Sequence, residues 1–253
     1  MAKIIAITNQ KGGVGKTTTS VNLSASLGVM GKKVLLVDLD PQGNATGGMG
    51  LNKSELAKSV YDILVNDAEA KDVLQATEFA VDILPANIEL AGAEVELVTT
   101  ISRETRLKRA LEEIRENYDF IFIDCPPSLG LLTLNALAAA DAVLMPIQCE
   151  FYALEGVLQL LKTIELVQNN LNPELYVDGV VLTMYDGRIK LAEQVVEEVK
   201  KNFTDVTYDT VIPRNVRLSE APSYGKPITA YDKKSKGALS YMQLAEEVVN
   251  RGN

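Results

Sequence analysis

Near the amino terminus the run Lys11-Gly12-Gly13-Val14-Gly15-Lys16-Thr17-Thr18 gathers what is needed to hold a polyphosphate: small residues, an ammonium and hydroxyls. Glycines let successive backbone N–H groups wrap the phosphates, Lys16 reaches the terminal ones, and Thr17 offers its hydroxyl to Mg²⁺. The general pattern G-x-x-x-x-G-K-[ST] asks for glycine at position 10, where this chain has Gln10 followed by Lys11. Carboxylates recur farther on. VLLVDLDPQGNAT (34–46) carries Asp38 and Asp40, which strand alternation points to one face. FIFIDCPPSLG (120–130) places Asp124 at the end of an apolar run, where the carboxyl edge of a parallel sheet can hold Mg²⁺ or its waters. Each acid also has a plainer reading, Asp40 as a turn former before Pro41 and Asp124 as a helix cap.

These groups need a scaffold that brings several loops to one edge. KIIAIT (3–8) reads as a strand that stops at the glycine turn, and apolar residues at helical spacing follow from Lys16 to about Met30. KKVLLVD (32–38), VDIL (81–84), DFIFID (119–124), AVLMPI (142–147) and YVDGVVLTM (176–184) read as further buried parallel strands. Helical stretches separate them at Thr105–Asn117, Leu129–Ala140, Leu154–Asn169 and Ala192–Asn202, with a last helix over Lys236–Asn250. The alternation predicts an α/β fold, a mostly parallel twisted sheet with helices on both faces. Asp40–Ser54 is the least regular piece, Gly- and Asn-rich after a strand, and is a candidate switch loop.

At 253 residues the chain fits one α/β domain, 1–253, and no linker, repeat or low-complexity tract divides it. Apolar residues at 47% and charged residues at 23% are those of an ordinary soluble protein, with no run long enough to span a membrane. MAKIIAITNQ lacks the apolar core of a signal peptide, so the expected compartment is the cytoplasm. Cys125 and Cys149 show no metal spacing and read as small core residues. The net charge of −9 argues against a surface that coats nucleic acid throughout. Residues 185–236, however, hold ten Lys/Arg against eight Asp/Glu, leaving −11 for the remainder.

The departing glycine loop, KGGVGKTT, resembles the deviant Walker A motif of the ParA/MinD group of P-loop ATPases, and the likeness runs nearly from Lys3 to Asn250. The resemblance implies ATP and Mg²⁺ as cofactors and an ATP-dependent homodimer in which Lys11 reaches across to the partner's nucleotide; a solvated surface lysine is the alternative. It further implies that Asp40 orients the attacking water and joins Thr17 and Asp124 around Mg²⁺, with Pro126-Pro127 starting a second switch. VIPRNVRLSEAPSYGKPI (211–228) is similar to the family's carboxyl-terminal block, in which Pro213 and Asn215 contact the adenine. Arg188 and Arg217 match positions that bind DNA without sequence preference in chromosome-partitioning members, against the alternative of ordinary solvated arginines.

Within that group the chain resembles the ParA/Soj chromosome-partitioning branch. A membrane-binding MinD-like member ends in a basic amphipathic helix, whereas LSYMQLAEEVVNRGN has two Glu and little positive charge. A nitrogenase-reductase-like member supplies cysteines to an iron–sulfur cluster, and neither cysteine here is so placed. A plasmid-type member carries a DNA-reading domain before the loop, where only ten residues precede Lys11. The implied function is an ATPase that binds non-specific double-stranded DNA as a dimer and is stimulated by a ParB-like DNA-binding protein, associating with the nucleoid when ATP-bound. The alternative is a MinD-like positioning ATPase that places a protein complex without binding DNA.

Overall fold

The computed structural model describes residues 1–150 and 155–251. Its strands are β1 (Lys3–Ile7), β2 (Val34–Asp38), β3 (Gln75–Ala76), β4 (Asp82–Leu84), β5 (Phe120–Asp124), β6 (Ala142–Gln148), β7 (Tyr176–Tyr185) and β8 (Thr207–Pro213). They form one sheet in the order β3-β4-β2-β5-β1-β6-β7-β8, parallel except where β3 runs against β4. Successive strand residues face opposite sides. Ile4 and Ala6 therefore join one core with Leu35, Val37, Ile121 and Ile123, while Ile5 and Ile7 join a second with Leu36, Phe120 and Phe122. Both faces are buried, as the unbroken apolar runs require.

Register decides what meets at the carboxyl edge. Ile7 of β1 and Asp38 of β2 both lie opposite Asp124 of β5, so the three strands end level and their following loops emerge side by side. The helix Lys16–Val29 packs against the sheet and against the helix Lys236–Arg251. Its Ser and Asn residues are mediocre helix formers; burial decides, for Ser20, Asn22, Ser24 and Ser26 are all buried. Small side chains permit that close approach.

Several expectations are refined. The stretch 105–117 is a helix only over Arg106–Glu112, followed by a 3₁₀ turn at Arg115–Asn117. Asp40–Ser54 is not a bare loop: it carries the short helix Asn44–Gly48, and a 3₁₀ turn follows at Lys53–Glu55. The expected helix start at Leu154 lies outside the described residues, and the helix runs Glu155–Asn170. The apolar pattern does not predict strands β3 and β8. The first has two residues, and TYDTVIP is part exposed and polar enough to break the apolar pattern.

Candidate active site

The loop after β1 is fixed before its first glycine. Asn9 is 2% exposed; its side-chain amide donates to the Pro146 carbonyl at 2.8 Å and its oxygen accepts from the Lys11 N–H at 3.0 Å. Gly13 (φ +76°) and Gly15 (φ +89°) then take left-handed conformations that other residues rarely adopt. Gly15 caps the helix Lys16–Val29 without any side-chain bond to its first N–H groups, which face the loop with the positive end of the helix dipole. Lys16 folds back so that Nζ donates to the Lys11 carbonyl at 3.0 Å. Burial lowers its pKa, while Asp124 and Asp40 pull the other way, so the ammonium is held over the loop by neighbouring acids.

Those acids are arranged by the strand register. Asp38 is fully buried, and its carboxylate accepts from the Thr46 N–H and hydroxyl, both at 2.7 Å, and from the Asp40 N–H at 3.2 Å. It ties down the segment that carries Asp40. Asp124 is also fully buried: Oδ1 accepts from the Ser20 hydroxyl at 2.8 Å, while Oδ2 is buried with no partner. Burial pushes Asp124 up to about 8, with repulsion from Asp38 adding to it and the Ser20 and Thr17 hydroxyls opposing it. Asp38 is raised to about 6, chiefly by burial. An unpaired buried carboxylate oxygen beside the Thr17 hydroxyl fits a hard cation. No cluster of three or more His, Cys, Asp or Glu suited to a metal exists among the described residues. Mg²⁺ takes few protein ligands and keeps waters and phosphate oxygens.

Asp40 is 9% exposed and lines a cleft of about 360 Å³ with Gly12, Gly13, Gly15, Lys16 and Thr17. Its Oδ1 accepts from the Gln42 N–H at 2.9 Å. Pro213 and Asn215 line an adjoining cleft of about 350 Å³ with Gly15, Thr18 and Tyr241, so the carboxyl-terminal block does reach the glycine loop. The Asn215 oxygen accepts from the Arg217 N–H at 2.9 Å as a helix cap, which leaves its amide to donate. Lys11 Nζ lies 4.0 Å from Glu150, which also stands 3.6 Å from Arg214. The two outlying arginines follow β7 and β8 at the same sheet edge. Arg188 is bidentate on Asp186, and Arg217 pairs with Glu220 at 2.9 Å and Asp232 at 3.6 Å. Both are in ion pairs and not the freely solvated arginines of the simpler expectation.

An AAA-domain family model matches residues 2–177. The sporulation initiation inhibitor protein Soj of Bacillus subtilis is 64% identical over 253 residues, covering all of both chains. The chromosome partitioning protein ParA of Myxococcus xanthus is 54% identical over 99% of this chain and 89% of its own. This chain is a Soj/ParA-family ATPase. Among solved structures, a cobyrinic acid a,c-diamide synthase from Mycobacterium smegmatis, bound to ADP and magnesium, superposes with a TM-score of 0.88 at 41% identity. That match covers 100% of this chain and 96% of the other.

The Soj/ParA-family site also uses residues that the motifs did not flag. Ser20 lies one helical turn after Lys16 and reaches Asp124 only because the helix packs on β5. Tyr241, from the last helix, lines the Pro213 cleft and shares a 3.1 Å hydrogen bond with Thr19. The motifs give Asp38 no role; its bonds to Thr46 and Asp40 supply one. Only Asp38 had a local signal, the paired acids at a strand end.

Proposed function

We propose that the whole chain, 1–253, works as one ATP-driven switch in chromosome partitioning, dimerising on ATP, binding DNA without sequence preference and releasing it after hydrolysis. The observation that carries the ATPase core of this reading is the unpaired Asp124 oxygen set among Thr17, Ser20 and Lys16, beside a loop whose glycines leave the helix N–H groups open. Lys16 and the loop from Gly12 to Thr18 bind the phosphates of ATP. Thr17, Asp124 and Asp40 would hold Mg²⁺, which when bound neutralises charge on the phosphates. Asp40 orients water for attack, Lys11 reaches the partner's nucleotide, and Pro213 and Asn215 receive the adenine.

Kinship with Soj and ParA supports a role in chromosome partitioning, and DNA binding and stimulation by a ParB-like protein are this reading's account of that role. Arg188 and Arg217 lend physical support, since exposed ion pairs contribute little and a DNA phosphate can replace Asp186 or Glu220 at little loss. No described helix is long and apolar enough to cross a membrane. The reading places the chain in the cytoplasm, on the nucleoid when ATP-bound. The direct test is ATP turnover by Lys16→Ala. A folded variant should lose hydrolysis by at least about 100-fold, the scale of removing a preorganised charge from a transferring phosphoryl group. Ordinary turnover would overturn the assignment.

A further inference from the structure

The glycine loop is held on a second side, by β7. Thr183 is 2% exposed, and its hydroxyl donates to the Val14 carbonyl at 2.8 Å. Its methyl covers Gly15, where an added Cβ would stand 3.7 Å from Thr183 Cγ2. The residue is itself immobilised from both sides. Its carbonyl accepts from the Cys149 N–H at 3.1 Å, and two residues later the Tyr185 carbonyl accepts from the Arg214 N–H at 2.9 Å. Between them Met184 takes φ +53°, uncommon for a residue with a side chain, and lines both the Pro213 cleft and the phosphate cleft.

A peptide group is planar and trans, so the Val14 carbonyl and the Gly15 N–H point in opposite directions. Anchoring that carbonyl on β7 turns the Gly15 N–H away from β7. Gly15 lines the phosphate cleft together with Gly12, Gly13 and Lys16, and Thr183 does not. Without the anchor nothing local enforces this orientation, because glycine accepts either sign of φ. A flipped peptide would offer the phosphates a carbonyl oxygen, which repels them.

We propose that Thr183 is a positioning residue for nucleotide binding, its buried hydroxyl fixing the Val14–Gly15 peptide so that the Gly15 N–H faces the phosphates. The proposal rests on the nucleotide reading above. Phosphates shared by ADP and ATP gain from this N–H equally, so its loss acts on binding in ground and transition states alike. Affinity falls and kcat is left nearly unchanged.

The test compares two pairs that differ only by the hydroxyl, wild type with Thr183→Val and Thr183→Ser with Thr183→Ala. Dissociation constants for ADP and a non-hydrolysable ATP analogue are measured with Mg²⁺ by titration calorimetry, alongside kcat, KM and nucleotide-free melting. Within each pair the member lacking the hydroxyl should bind both nucleotides about five- to tenfold more weakly, the scale of one lost buried hydrogen bond, with KM raised and kcat within about twofold. If Thr183→Val does not fold, the Ser and Ala pair decides. Equal affinities within the pairs, even with lowered melting temperatures, would reduce Thr183 to a packing residue and overturn the proposal. So would a loss confined to kcat. Wild type binding neither nucleotide would instead overturn the nucleotide reading, and this proposal with it.

Discussion

Asp38 and Asp124 face each other at the ends of adjacent strands, and both resist ionisation, since each charge would be buried near the other. A folded pKa above the ordinary value of 3.8 means that the native state keeps a proton which the unfolded chain releases. Stability from this source is full below about pH 3.8 and is lost as pH rises toward about 8. Asp124→Asn is neutral at every pH and escapes that loss. In nucleotide-free melts or urea titrations it should therefore gain on wild type as pH rises from 4 to 8. A pH-independent difference would show that Asp124 ionises freely in the native chain. Asp40 belongs to a different step. It lines the phosphate cleft without contributing an N–H or an ammonium to it, so Asp40→Ala should bind ATP, hydrolyse it at least about 100-fold more slowly, and accumulate as an ATP dimer. Mass in solution with saturating ATP checks this, and an exclusively monomeric variant counts against it.

At the scale of elements, the sheet's far edge shows how closely strands must approach to set the clefts. Gly179 of β7 sits where the register with β6 shifts, and a Cβ there would come within 2.1 Å of the Tyr208 ring on β8. The ring cannot withdraw easily: its hydroxyl donates to Asp178 and the Arg251 guanidinium lies 3.9 Å over its face. Gly179→Ala should cost about 1 to 3 kcal/mol in denaturant unfolding, the range for forced overpacking. It should also weaken nucleotide binding, because β8 delivers Pro213 to the cleft proposed for the adenine. A variant as stable as its parent would mean that β7 and β8 move apart freely. Neither effect was legible in the sequence, where β8 broke the apolar pattern and its neighbour's glycine read as one more strand residue.

Across the whole molecule, the proposed cycle joins two copies at the face that carries Lys11, and doubling the phosphate contacts doubles the electrostatic part of DNA binding. Each phosphate contact adds about 0.9 to the salt slope on B-DNA, so a monomer with half the contacts binds far more weakly. Arg188→Ala and Arg217→Ala should each weaken DNA binding alike for all sequences and lower the salt slope by about 1 per copy, with ATP binding and dimer mass intact. The carboxylates already pairing these arginines make a modest loss the expectation. DNA affinity unchanged in both variants across a salt series would remove them from the DNA face.

The glycine loop, the acids at 38, 40 and 124, and the alternation that makes them strand-end residues are local properties; spacing carried the α/β class and the phosphate loop, while the roles expected of Lys11 and Asp40 came from the family resemblance. Backbone conformation and side-chain period act over a few residues, so a chain announces them before it folds. Only the tertiary structure decided that Ser20 meets Asp124 and that Thr183 meets Val14 across 169 positions. Those contacts depend on register between strands and on the packing of one helix on the sheet. Such distances in sequence leave no periodic trace, because any small polar residue at the right height would serve.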